Sequence, residues 1–276
     1  MVSRSLHWLA LLPCLVWAMQ AQAGGARMFH ADEPFYAQYI VDYWRAGPSP
    51  ASGNPSRLAP GWYPEKPFGG GGPTSGPGVA EIRGKLLRLQ GELLRHPLLR
   101  APHGFSTTVG GAMGPVRGGP MPVPATGGVI IGAYPLNLDD KHTQRLADGR
   151  YRTPGEATML ELRANELGDL RNRKPVGRWN DIALVERRGG YMLVLNNSGR
   201  PLYLSDPSYG YRLNPQLLDP GRPAGEIQFL TVRVSGEWRG MPQRQLDPAG
   251  TLGRMIGVLF LTDWKALLRQ VEPTLR

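Results

Sequence analysis

The sequence predicts an α+β protein: a mainly antiparallel sheet with an N-terminal helix, a helix near 81–96, a C-terminal helix and long Gly/Pro-rich loops. Three observations carry this expectation. Short runs rich in Val, Ile, Leu and Tyr recur between residues 129 and 234, separated by turn residues. Apolar side chains at helical spacing recur in a few separate stretches instead of one continuous pattern. Many of the 37 glycines and 27 prolines crowd two tracts, 46–78 and 110–128. Helices packed on one face of an antiparallel sheet are the economical arrangement of such elements.

Residues 1–23 read as a cleavable secretory signal. Arg4 supplies a positive start, residues 6–19 carry no charge, and Ala21-Gln22-Ala23 offers the small residues of a cleavage site. The apolar run falls short of the roughly 20 residues needed to cross a bilayer core. Cys14, the single cysteine, lies inside it, so the 253 residues after Ala23 are free of disulfides and thiolate zinc sites. An exported, periplasmic or extracellular location is expected, with no transmembrane helix in the mature chain.

Residues 24–45 form an N-terminal helical segment, in which Phe35, Tyr39, Ile40 and Tyr43 share a helix face beyond Pro34. Residues 46–78 follow as a flexible loop or linker without regular structure, because proline removes donors and glycine raises the cost of ordering. A single α+β domain then spans 79–276. Ile82, Leu86, Leu89 and Leu93 mark its clearest helix, stopped by Pro97.

Strands are expected at 105–109, 129–134, 159–163, 182–186, 191–195, 201–204 and 227–234. Two hairpins are expected, one through Arg188-Gly189-Gly190 and one through Asn196-Asn197-Ser198-Gly199. Met255–Leu261 reads as a last strand, before a helix capped by Thr262 and running to Val271.

The charge is strongly positive: 32 basic against 22 acidic residues, only five of the basic ones lysine. Arginine's planar fork suits carboxylates and phosphates, although a GC-rich genome produces the same bias without selection for binding. The expected partner is an anionic envelope component or another envelope protein. Nucleic acid is disfavoured by export and by the lack of any helix-turn-helix, zinc-finger or RNP-like motif.

No HExxH helix, GxSxG elbow, Walker loop or EF-hand loop is present, and no motif identifies a cofactor or a metal. Candidate catalytic residues are therefore drawn from the few histidines. Asp139, Asp140 and His142 lie just beyond an expected buried strand, where a carboxylate can orient an imidazole. His103 precedes Gly104 and Ser106, the residue types of a nucleophilic site. Glu161 and Glu166 are five apart and would face opposite sides of a regular strand, so salt bridges explain them. Candidate ligand-binding residues are Trp62 and Tyr63, aromatic rings inside a Gly/Pro tract, and Arg117, a cation inside the second tract. The leading expectation is a non-enzymatic exported binding protein; the alternative is an exported hydrolase built on His142 and Asp139 or Asp140, with His103 and Glu161 supplied across the sheet.

Overall fold

The computed structural model describes residues 36–47, 53–67, 70–115, 123–187, 189–238 and 246–273. The signal-like residues 1–23, His30, Phe35 and Arg117 lie outside them.

Eleven strands, five α-helices and one 3-10 helix (Leu167–Asp169) make up the described chain. In order the strands and α-helices are α1 (Tyr36–Arg45), α2 (Pro55–Leu58), α3 (Val79–Leu94), β1 (Phe105–Met113), β2 (Gly127–Pro135), β3 (Gln144–Arg145), β4 (Tyr151–Arg152), β5 (Thr158–Ala164), β6 (Lys174–Trp179), β7 (Ile182–Arg187), β8 (Gly190–Asn196), β9 (Tyr203–Asp206), β10 (Gly210–Leu213), β11 (Phe229–Val234), α4 (Thr251–Leu261) and α5 (Trp264–Val271). Seven strands form one sheet in the order β1-β2-β5-β11-β8-β7-β6, with every neighbouring pair antiparallel. The fold is thus α+β with a mainly antiparallel sheet.

Alternation along the strands divides the sheet into two faces. Val129, Ile131, Leu160, Leu162, Leu230, Val232, Leu193 and Leu184 point to the face covered by α3 and α4 and form the main core with Ile82, Leu86, Leu89 and Phe260. The opposite face carries a smaller apolar cluster of Leu170, Val185, Met192, Val194, Leu202, Leu217 and Phe229. Beside it sits an ionic group. Arg233 meets Glu161 at 2.7 Å and Asp169 at 3.1 Å, and Arg163 also reaches Glu161.

Three expectations are corrected here. Met255–Leu261 is not a strand but the body of α4. A short continuous apolar run does not distinguish a buried strand from a helix enclosed on nearly every side. In α4 the residues Gly253, Met255, Ile256, Gly257, Val258, Leu259 and Phe260 are all buried, and the bare Gly257 lets the Trp44 indole lie against the helix. The cap of α5 is Asp263, whose carboxylate accepts from Ala266 N–H; the Thr262 hydroxyl instead bonds back to the Val258 carbonyl. The second hairpin is also absent. Asn196 folds its own turn by accepting from Ser198 and donating to the Arg200 carbonyl, which frees β9 to pair with β10 while β11 takes the place beside β8.

The first Gly/Pro tract also departs from expectation, because part of it is regular. Asn54 accepts from Ser56 N–H and Pro55 opens the turn, an ordinary helix start that seeds α2. Beyond α2 the chain runs along the free edge of β1. Thr107 N–H donates to the Trp62 carbonyl, Gly71 N–H to the Gly111 carbonyl and Met113 N–H to the Gly71 carbonyl. This contact is close enough to require glycine, since a Cβ on Gly61 or Gly70 would collide with the carbonyl of Phe105 or Gly111. Pairing on both sides carries β1 on through Gly110 and Gly111 to Met113, into the tract expected to be loop.

Candidate functional site

At one end of this arrangement five chain segments meet around a cleft of about 370 Å³. The C-terminal end of α1 contributes Tyr43 and Trp44, and α2 contributes Ser56 and Arg57. The 97–105 segment adds Pro97, Arg100, His103 and Phe105, the exit of β2 adds Pro135 and Leu136, and the start of α4 adds Thr251 and Arg254.

Arg254 is the chemically unusual member. Its Cζ lies 4.6 Å from the centre of the Trp44 ring and 4.7 Å from that of Phe105, distances at which a cation is attracted to the ring quadrupole. One hydrogen bond, from Nη1 to the Leu98 carbonyl at 3.1 Å, ties it to the 97–105 segment. Among the described residues no carboxylate forms an ion pair with it, and its Nε–H is buried without an acceptor. Burial pushes its pKa down to about 10, with the Tyr43 hydroxyl acting weakly the other way. A cation in the first turn of an eleven-residue helix also opposes the positive end of the helix dipole. Burial and the helix dipole therefore disfavour the charge that the sequence places there, and the two rings, the Leu98 carbonyl and Tyr43 favour it.

The polar side chains around it are differently placed. Arg57 is exposed and bridged to Asp247 at 2.7 Å, while Arg100 and His103 are exposed at the rim. Asp247 also accepts from Ala249 N–H, so it holds the turn that enters α4. Tyr43 has a raised pKa, first from burial and then from the Asp247 charge, and stays a neutral hydroxyl at the cleft wall.

His96, just ahead of the lining segment, is held neutral. Its Nδ1 accepts from Leu98 N–H at 3.2 Å, and burial lowers its pKa from the ordinary 6.5 to about 4. Because the folded value lies below the unfolded one, the stabilisation is complete above pH 6.5 and is lost as pH falls toward 4. The loss amounts to about 3 kcal/mol at most. Urea unfolding at pH 7.5 and pH 4 is expected to show this difference in the wild type and a smaller one in His96→Asn, which keeps an acceptor but does not titrate.

Of the described residues singled out from sequence, His103 lines the cleft, and the 139–142 turn lies next to it, with Leu138 N–H donating to the Ser56 hydroxyl. The His103 Nδ1 lies 3.0 Å from the Ala101 carbonyl. His142 and Asp139 are exposed and do not line the cleft. Asp140 uses its carboxylate to accept from the backbone N–H of His142, which shapes a turn instead of orienting the imidazole. Tyr63 donates to the Leu94 carbonyl and packs against the main core, while Trp62 stacks with Arg152 at 5.1 Å. Glu161 belongs to the ionic group on the second face; burial alone would raise its pKa, but Arg233 and Arg163 outweigh it and hold the carboxyl below its usual range. Glu166 accepts from Gly168 N–H. Among the described residues no group of three or more His, Cys, Asp or Glu is arranged to hold a metal ion, and no helix is long and apolar enough to cross a membrane.

Sequence reasoning missed Arg254. The available signal was an arginine that is the single charged residue in the eleven residues of α4. In comparisons with known proteins no family model matches the chain, and neither does any curated protein or solved structure.

Proposed function

We propose that the protein is an exported, non-enzymatic binding protein that takes an anionic ligand in the Arg254 cleft, the ligand being an envelope component or part of another envelope protein. The observation that carries the reading is the Arg254 guanidinium, held against two aromatic rings inside a cleft with no carboxylate partner among the described residues. Arg254 is partly buried, and a partly shielded charge without a counter-ion gains from an anion placed in the cleft. Arg100, exposed at the rim, adds positive potential that draws an anion in. Export rests on the signal-like residues 1–23.

The test is thermal unfolding of the purified protein in sodium salts of sulfate, phosphate, acetate and benzoate against chloride at constant ionic strength. Ligands that bind only the folded state raise Tm by mass action. At least one anion is expected to raise Tm in a concentration-dependent way, with the shift abolished in Arg254→Gln. Equal Tm in all salts, or a shift that persists in Arg254→Gln, would contradict the reading.

A further inference from the structure

We propose that the ligand of this cleft is a monoanionic carboxylate carried on an apolar body, an aromatic or aliphatic acid of small-molecule size. The inference rests on the anion-binding reading above and specifies its chemistry from the head group, the charge and the wall.

The head group follows from what remains of the guanidinium. Nη1 is engaged with the Leu98 carbonyl, and Trp44 and Phe105 lie against the group. The nitrogens left without an acceptor among the described residues are Nε and Nη2, which share one edge of the planar fork; Nε is closed to solvent, so a ligand meets this edge only after a side-chain shift at the cleft. Two parallel N–H bonds along such an edge match the two oxygens of a carboxylate, a geometry that a lysine ammonium does not reproduce.

The charge of the ligand follows from the distribution of ions. Arg57 is already neutralised by Asp247, and both side chains are about half exposed, at 50% and 42%. Arg100 and His103 lie exposed at the rim, where solvent and salt screen them. The interior thus offers one uncompensated positive charge. A dianion such as phosphate or sulfate would bring a second charge that Arg254 alone does not neutralise.

The body follows from the wall. Tyr43, Trp44, Pro97, Phe105, Pro135 and Leu136 line the cleft alongside the polar Asn54, Ser56 and Thr251, so an apolar body meets hydrocarbon and aromatic surface along part of the wall. A volume of about 370 Å³ falls within the range of small-molecule sites. An apolar body there removes surface from water on both sides, at about 25 cal/mol per Å².

Titration calorimetry with hexanoate and benzoate, with their neutral amides, and with inorganic phosphate tests the assignment. Hexanoate or benzoate is expected to bind at least 10-fold more tightly than its amide and than phosphate. In Arg254→Lys, which keeps the charge but not the fork, carboxylate binding is expected to weaken at least 10-fold while Tm without ligand stays close to wild type. Phosphate binding more tightly than either acid would overturn the ligand class but leave the anion reading standing. Amides binding as well as acids would overturn the carboxylate head group, and unchanged binding in Arg254→Lys would overturn recognition by the fork. If no acid binds and no anion raises Tm, both proposals fail together.

Discussion

Replacing Arg254 by methionine is expected to reduce carboxylate affinity by about 100-fold or more. Truncating one member of a shielded, charge-assisted hydrogen-bonded pair typically costs 2–5 kcal/mol, which corresponds to roughly 30-fold to several thousand-fold in Kd. Methionine preserves an unbranched apolar chain beside Trp44 and Phe105, so the contacts of the arginine stem are largely kept. The free protein gains relief from an uncompensated charge and loses two cation–π contacts and the Leu98 hydrogen bond. These effects oppose one another, so Tm without ligand is expected to move little. Calorimetry and thermal unfolding of the same variant separate the two roles. Loss of binding at unchanged Tm assigns Arg254 to the ligand; a large fall in Tm with affinity preserved would assign it to the fold.

The largest effect on stability is expected from Asn165→Ala. Asn165 is buried at the end of β5 with a left-handed backbone, φ +58°. Its Nδ2 donates to the carbonyls of Ala125 and Glu226, and its Oδ1 accepts from the N–H groups of Gln228 and Phe229. One side chain thus joins the approach to β2, the end of β5 and the start of β11. Alanine removes these bonds, leaves buried backbone groups without that partner and meets the left-handed conformation without the tolerance of asparagine. The expected loss is roughly 3–5 kcal/mol, read from urea unfolding followed by circular dichroism. Asn172→Ala is the control, because Asn172 has a similar φ of +53° but is exposed. It isolates the backbone contribution, about 1 kcal/mol. Equal losses at the two positions would show that the Asn165 network contributes little.

The sheet was legible in sequence where side chains alternate. Leu160, Leu162 and Ala164 face the core between the less buried Met159, Glu161 and Arg163, and such a strand announces its period. The continuation of β1 through Gly110 and Gly111 was not legible, because glycine has no side chain to show a face and the pairing comes from Gly71, about 40 residues earlier. Nor was α4, whose apolar run is buried on nearly every side and so shows no helical stripe. The site was less legible than the sheet. His103 was singled out and does border the cleft, but through its place in a turn and not through any partnership with Ser106 or His142. Arg254 gains its meaning from Trp44, Leu98 and Phe105, which lie 149 or more positions away in the chain. No local pattern encodes such a meeting. The charge balance raised arginine chemistry as a theme without singling out any arginine, and Arg254 stands out only through its packing.

The most direct test of the anion-binding account is the Arg254 Nε–H resonance, observed in ¹⁵N-labelled protein and assigned by its loss in Arg254→Gln. On titration with benzoate the account predicts that this signal moves saturably, with the same Kd that calorimetry gives. A signal that stays fixed while benzoate binds elsewhere, or while nothing binds at all, would contradict the claim that Arg254 is the anchor of a ligand site.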